Sequence, residues 1–226
     1  YVFAQDTDAK LYAIPYESML ANTIDLEATY IARLENIYQD LAYNYDDGKL
    51  YGLYTSTDNN GYPISELFTI NLKGQYYDPD QYVDVMPYQE DWAQQRGGVY
   101  ALGLAIDTAG SVYIMGTNYD GDTETMTETA HLWKASMEEK WGSVMLGAFQ
   151  DMGDTGLSMD YLQSMTWNHN DGKLYWARFA PNGTFTMVSE LVEVNPETAA
   201  CTVLGKLSTE TCGLMAPLTD ETAEKE

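Results

Sequence analysis

The chain has 226 residues, 45% of them hydrophobic and 13% aromatic, and a formal net charge of −24. That much apolar side chain supports one large all-β domain or two smaller ones and excludes a disordered segment. The charge excludes nucleic acid and anionic membrane as partners, because neither would gain counterion release or attraction. No apolar run reaches the roughly 18 residues of a membrane-spanning helix.

The chain begins with Tyr1-Val2-Phe3 already inside a strand pattern, so it reads as a mature or trimmed chain whose export signal has been removed. Residues 2–14 (VFAQDTDAKLYAI) suggest two short strands around a turn. NTIDL (22–26) and YIARL (30–34) follow as third and fourth strands, with residues 16–21 as an alternative helical turn. The clearest unit is residues 41–54, LAYNYDDGKLYGLY, two strands joined by an Asp-Asp-Gly turn, then ELFTINL (66–72) and YVDVM (82–86). A third unit runs LAIDTAGSVYIM (104–115), HLWKASM (131–137) and SVMLGA (143–148). The fourth runs MTWNHNDGKLYWA (165–177), ELVEVN (190–195) and CTVLGK (201–206). CGLMA (212–216) has the pattern of the first strand of a further unit, and residues 219–226 form an acidic linker or tail.

The Lys-Leu-Tyr element begins at Lys10, Lys49 and Lys173, with Ser111-Val112-Tyr113 in the same role, at offsets of 39, 62 and 62. Repeats of that size point to a propeller-like array. Leu50, Tyr51, Gly52, Leu53 and Tyr54 are apolar or small on both faces, as expected of a sheet sandwiched between two neighbours. The expected fold is therefore an all-β β-propeller over residues 1–218, with four-stranded antiparallel blades, four full blades and the first strand of another. The small residues after the repeated tyrosine, Ala13 and Gly52, suggest close packing near the axis, with Ile114 and Trp176 as exceptions.

In such a meander the short turns (44–48, 107–110, 168–172) lie at one end. The long segments 55–65, 87–98, 117–130, 150–163 and 178–189 lie at the other, and long loops often carry function. On them stand Tyr62, Tyr88, Trp92, Tyr119, Tyr161 and Phe185, with Arg96 as one of few cations. Aromatic platforms beside carboxylates suit sugar rings or peptide segments; the alternative is that these rings anchor the loops. Asn118, Asp120, Asp122 and Glu124 place side-chain oxygens at every second position. Two readings fit them, a Ca²⁺ site and a solvated acidic loop. The acids of the Asp-Gly turns read as turn chemistry. Cys201 belongs at the outer rim and Cys212 near the axis at the opposite end, too far apart for a disulfide, so two free thiols are expected. His131 and His169 fall at opposite ends and should not share a metal. No nucleophile elbow, HExxH, P-loop or Rossmann glycine set is present.

LAYNYDDGKLYGLY…LFTINL and MTWNHNDGKLYWA…LVEVNPETAACTVLGKL resemble the repeats of NHL/YVTN-type β-propellers of bacterial secreted or cell-surface proteins. The resemblance spans residues 1–218 and implies the architecture, with the long-loop end as the usual ligand face. It implies no single activity, since that family holds adhesion modules, sensors and a few enzymes. The expected function is a non-catalytic extracellular or cell-surface binding or adhesion module that takes a glycan or protein. The alternative is a secreted hydrolase or lyase using acidic residues on the same end, with Ca²⁺ as a candidate ion. A third is an architectural spacer or a segment of a larger ring. The oligomeric state stays open.

Overall fold

The computed structural model describes residues 2–15, 28–34, 36–57, 59, 63–70, 82–84, 97–120, 125–126, 129–147, 149–182, 186–208 and 213–216. They form four antiparallel sheets that follow one another along the chain. The first holds β1 (Val2–Gln5), β2 (Lys10–Ile14) and β3 (Thr29–Arg33). The second holds β4 (Asp40–Asn44), β5 (Lys49–Thr57), β6 (Pro63–Ile70) and β7 (Tyr82–Asp84) in that order. In the third, β8 (Gly97–Ile106) pairs with β9 (Ser111–Asp120), and β9 with β11 (His131–Lys140). The short β10 (Thr125–Met126) extends the far end of β9. β12 (Ser143–Leu146) and β13 (Gln150–Asp154) share the outer edge of β11. The fourth is β14 (Ser164–Asn168), β15 (Lys173–Pro181), β16 (Met187–Val194) and β17 (Cys201–Lys206).

The Lys-Leu-Tyr repeat owes its form to a lock at the first turn of each sheet. In the first sheet Asp6 accepts the Asp8 and Lys10 N–H groups and the Tyr12 hydroxyl. In the third, Asp107 does the same for Ala109, Ser111 and Tyr113. The second and fourth sheets divide the task. Asn44 and Asn168 cap the turn, while Asp47 and Asp171 hold the N–H of the next strand and the hydroxyls of Tyr51 and Tyr175. Local side-chain bonds of this kind compete with helix and favour turns. The last turn residue has positive φ in every case: Gly48, Gly110, Gly172 and, against the usual preference, Ala9 at 60°.

The period-2 pattern gives each sheet two faces. One carries the repeated Tyr; the other carries Leu11, Leu50, Val112 or Leu174. Between the second and third sheets Tyr51, Leu53 and Leu67 pack on Val112, Ile114 and Trp133. Between the third and fourth, Tyr113 and Met115 pack on Leu174, Trp176 and Val192. Both interfaces thus seat a tyrosine face on a leucine face, as stacked blades would. The first interface differs. Leu11 and Leu34 share a cluster with Leu50, Phe68 and Ile70, so two leucine faces meet. The first sheet's tyrosine face turns outward, where Tyr30, opposite Tyr12, is 55% exposed.

Four expectations need correction. The segment expected as the first unit's fourth strand is its third, because β3 pairs directly with β2; residues 22–26 lie outside the described residues. The outer strand of the third sheet is two segments, of which only β12 was anticipated. The close approach at Gly52 is not to the axis: a Cβ there would sit 2.7 Å from the Tyr38 ring, which lies between the first two sheets. The supposed long loops are largely strand, since β5, β6, β8, β9, β15 and β16 run well into the segments assigned to them.

Candidate functional site

The inner strands β4, β8 and β14 converge on one carboxylate. Asp40 Oδ2 accepts the Leu104 N–H at 2.9 Å and the Met165 N–H at 2.8 Å. Its Oδ1 accepts the Ser164 hydroxyl at 2.9 Å and the Leu41 N–H at 3.0 Å. Ser164 Oγ in turn accepts the Leu214 N–H at 2.7 Å. Burial pushes the Asp40 carboxyl up to about 7, and the four donors pull the other way. Among the described residues it has the burial and the near-neutral titration of a catalytic acid. Both its oxygens are occupied and its side chain is sealed, so it meets no substrate. Its role is to fasten three sheets.

At the turn end the axis is also filled. The Tyr45 and His169 rings meet edge to face at 4.4 Å, and Thr108 Oγ1 lies 3.2 Å from His169 Nδ1. Turns from the second, third and fourth sheets therefore close over one another. Burial lowers the His169 pKa, with Asp107 opposing.

The opposite end is built from hairpins rather than loops. Residues 155–163 cross it between the third and fourth sheets and are tied down from below. Arg178 donates to Ser158 O at 2.7 Å and Ser158 Oγ at 3.0 Å, and pairs with Glu190 at 2.6 Å. Both ends of the pair are shielded, so this is a structural ion pair whose loss would strand a buried charge. Gln163 bridges Trp176 Nε1 and the Phe179 backbone through Oε1 and donates Nε2 to Asp160 O. These bonds hold Tyr161 at the surface, 55% exposed, with its ring 6.1 Å from that of Tyr100.

Of the sequence candidates, Tyr161 is the one with a described side chain. Asn118, Tyr119 and Asp120 are residues of β9, paired with Val99, Gly98 and Gly97 of β8. Tyr62, Tyr88, Trp92, Arg96, Phe185, Asp122 and Glu124 lie outside the described residues, so their proximity to Tyr161 is not at issue here. Sequence reasoning passed over Asp40, Gln163, Arg178 and Tyr100. Arg178 offered a signal, as a cation within an apolar strand (KLYWARFAP). Asp40 offered none, being one of 35 acids. Among the described residues no group of three or more His, Cys, Asp or Glu could hold a metal. His131 lies 3.3 Å from Asp151 on the third sheet, remote in sequence and sheet from His169. Cys201 is a free thiol, and burial pushes it up to about 11; Cys212 lies outside the described residues.

No family model matches the chain, and no curated protein does. Among solved structures the chain is similar to one described as glucose dehydrogenase, at 16% identity and a TM-score of 0.35. The match covers 85% of this chain and 53% of that one, so the chain spans about half its length. A likeness this distant carries no argument about activity.

Proposed function

We propose that the chain is a non-catalytic extracellular or cell-surface binding module, a β-propeller of NHL/YVTN type, that recognises a glycan or protein at its hairpin end. The observation that carries this reading is the Tyr100–Tyr161 pair, presented to solvent on a segment clamped by buried Gln163 and Arg178. A ring held rigidly at the surface loses little freedom when a sugar or peptide stacks on it. The four sheets in chain order support the propeller architecture, and the net charge of −24 supports a soluble, exposed setting. The sealed state of Asp40 weighs against the hydrolase or lyase alternative, which needs carboxyls open to substrate.

The test is a glycan array together with a pull-down from cell-surface extract, each run for the native chain and for Tyr161→Ala, with and without EDTA. Binding that Tyr161→Ala abolishes supports the reading, and loss in EDTA would add Ca²⁺ at Asn118, Asp120, Asp122 and Glu124. Blank screens alongside measured turnover of a glycan would overturn it.

A further inference from the structure

Residues 213–216 (GLMA) sit on the fourth sheet as β8 sits on the second. Asp40 and Ser164 are the first residues of the inner strands β4 and β14. Asp40 accepts the N–H of Leu104, in the sequence Gly103-Leu104-Ala105-Ile106; Ser164 accepts the N–H of Leu214, in Gly213-Leu214-Met215-Ala216. A second bond, Ala216 N–H to Thr166 Oγ1 at 3.3 Å, continues along the same edge. The innermost strand of a further sheet is therefore in place on the tyrosine face of the fourth.

The rest of that face lacks the cover its counterparts have. Tyr51 and Leu67 of the second sheet are 4% and 3% exposed beneath Val112 and Ile114 of β9. At the same positions of the fourth sheet Tyr175 and Leu191 are only half-buried, and Met187 on the same face is 45% exposed. Among the described residues no strand pairs with 213–216. The sequence after Ala216, PLTDETAEKE, holds no Lys-Leu-Tyr element to supply one.

We propose that the tyrosine face of the fourth sheet, with the free edge of residues 213–216 beside it, is a docking surface for a β-strand of another protein carrying an aliphatic residue at every second position. The strand would add to the edge by main-chain hydrogen bonds and lay its aliphatic side over Tyr175 and Leu191, as β9 does over Tyr51 and Leu67. A second copy is a poor occupant. It carries the same charge of −24, and the outward face of its first sheet is a tyrosine face, not a leucine face.

The probe is a synthetic peptide of residues 107–117 of this chain, DTAGSVYIMGT, titrated into the whole protein and followed by calorimetry and hydrogen exchange. The expected result is saturable binding with slowed exchange in β15 and β16. Leu191→Lys and, as a second variant at an exposed position, Met187→Lys each weaken it by roughly tenfold or more. A peptide carrying Val112→Asp and Ile114→Asp should not bind. No binding at millimolar peptide, or binding that both protein variants leave unchanged, overturns the proposal. So does a concentration-dependent dimer that the same variants abolish, since the occupant would then be a second copy. The glycan and pull-down screens with Tyr161→Ala read the opposite end, so failure of one reading leaves the other standing.

Discussion

The interface between the first two sheets and the interface between the second and third use the same repeat in opposite senses. Tyr51 reaches toward Val112 of the next sheet, but Leu11 reaches toward Leu50, its own counterpart. The turn locks are intact in all four sheets. The repeat therefore builds the sheet and leaves open which side it buries. That choice falls to residues outside the repeat. Asp40 bonds the inner strands of the second, third and fourth sheets to one another. The first sheet is instead joined through a connection in which Gln5 holds Asn36 O and the Tyr38 N–H, and the Tyr38 ring fills the space above Gly52.

The sharpest way to break this contrast is Asp40→Ala. Buried donors at Leu104 and Met165 and the Ser164 hydroxyl would lose their acceptor, at about 1–3 kcal/mol each. Urea denaturation should show a total loss on the order of 4 kcal/mol. The bonds around Asp6 and Tyr12 should survive, so hydrogen exchange should loosen the last three sheets before the first. Asp40 also sets a pH dependence. Its native pKa lies above the ordinary 3.8, so between about pH 4 and 7 the folded state binds a proton that the unfolded state has released. Stability should therefore fall as pH rises through that window and level off above it, and the difference from Asp40→Asn isolates this contribution.

Gly52→Ala attacks the other interface. Its new methyl would meet the Tyr38 ring, and overpacking of this kind costs about 1–3 kcal/mol. Tyr38→Ala in the same chain should recover part of the loss, a coupling that a double-mutant cycle measures. Tyr51→Phe should cost about 1 kcal/mol by removing a hydroxyl bonded to Asp47 inside an interface. Tyr12→Phe, on the outward face, should cost measurably less; equal losses would mean that the locks act on their turns alone. Ala9→Gly is expected to have the smallest effect. Relief of a positive φ favours glycine by about 1 kcal/mol, and loss of a buried methyl offsets most of it.

How much of this was legible follows from the range of each interaction. The Asp-Gly turns and the alternation around Lys-Leu-Tyr act within a dozen residues, so strands such as Cys201–Lys206 could be placed from sequence. The acids of those turns were rightly read as turn chemistry, although their bonds to the tyrosine hydroxyls were not foreseen. Two positions, Asp6 and Asp107 against Asp47 and Asp171, reach the same tyrosine by different spacings, which hid the pattern. The long segments were misjudged because hydrogen-bonded extensions such as Thr55–Ser65 and Tyr100–Thr117 are rich in polar and small residues. At the hairpin end Tyr161 was legible as an exposed ring. Its supports were not, because Gln163 and Arg178 act through backbone atoms that no composition reveals. Asp40 was invisible for the same reason at longer range, with partners 64, 124 and 125 positions away.

Those separations bear on how the polypeptide forms as it leaves the ribosome. The first sheet draws only on Val2–Arg33 and is free to assemble early. Asp40 emerges soon after, yet the groups that complete its shell include Ser164 and Met165. For most of translation its carboxyl remains hydrated, and the half-built axis stays reversible until the fourth sheet arrives to dry it.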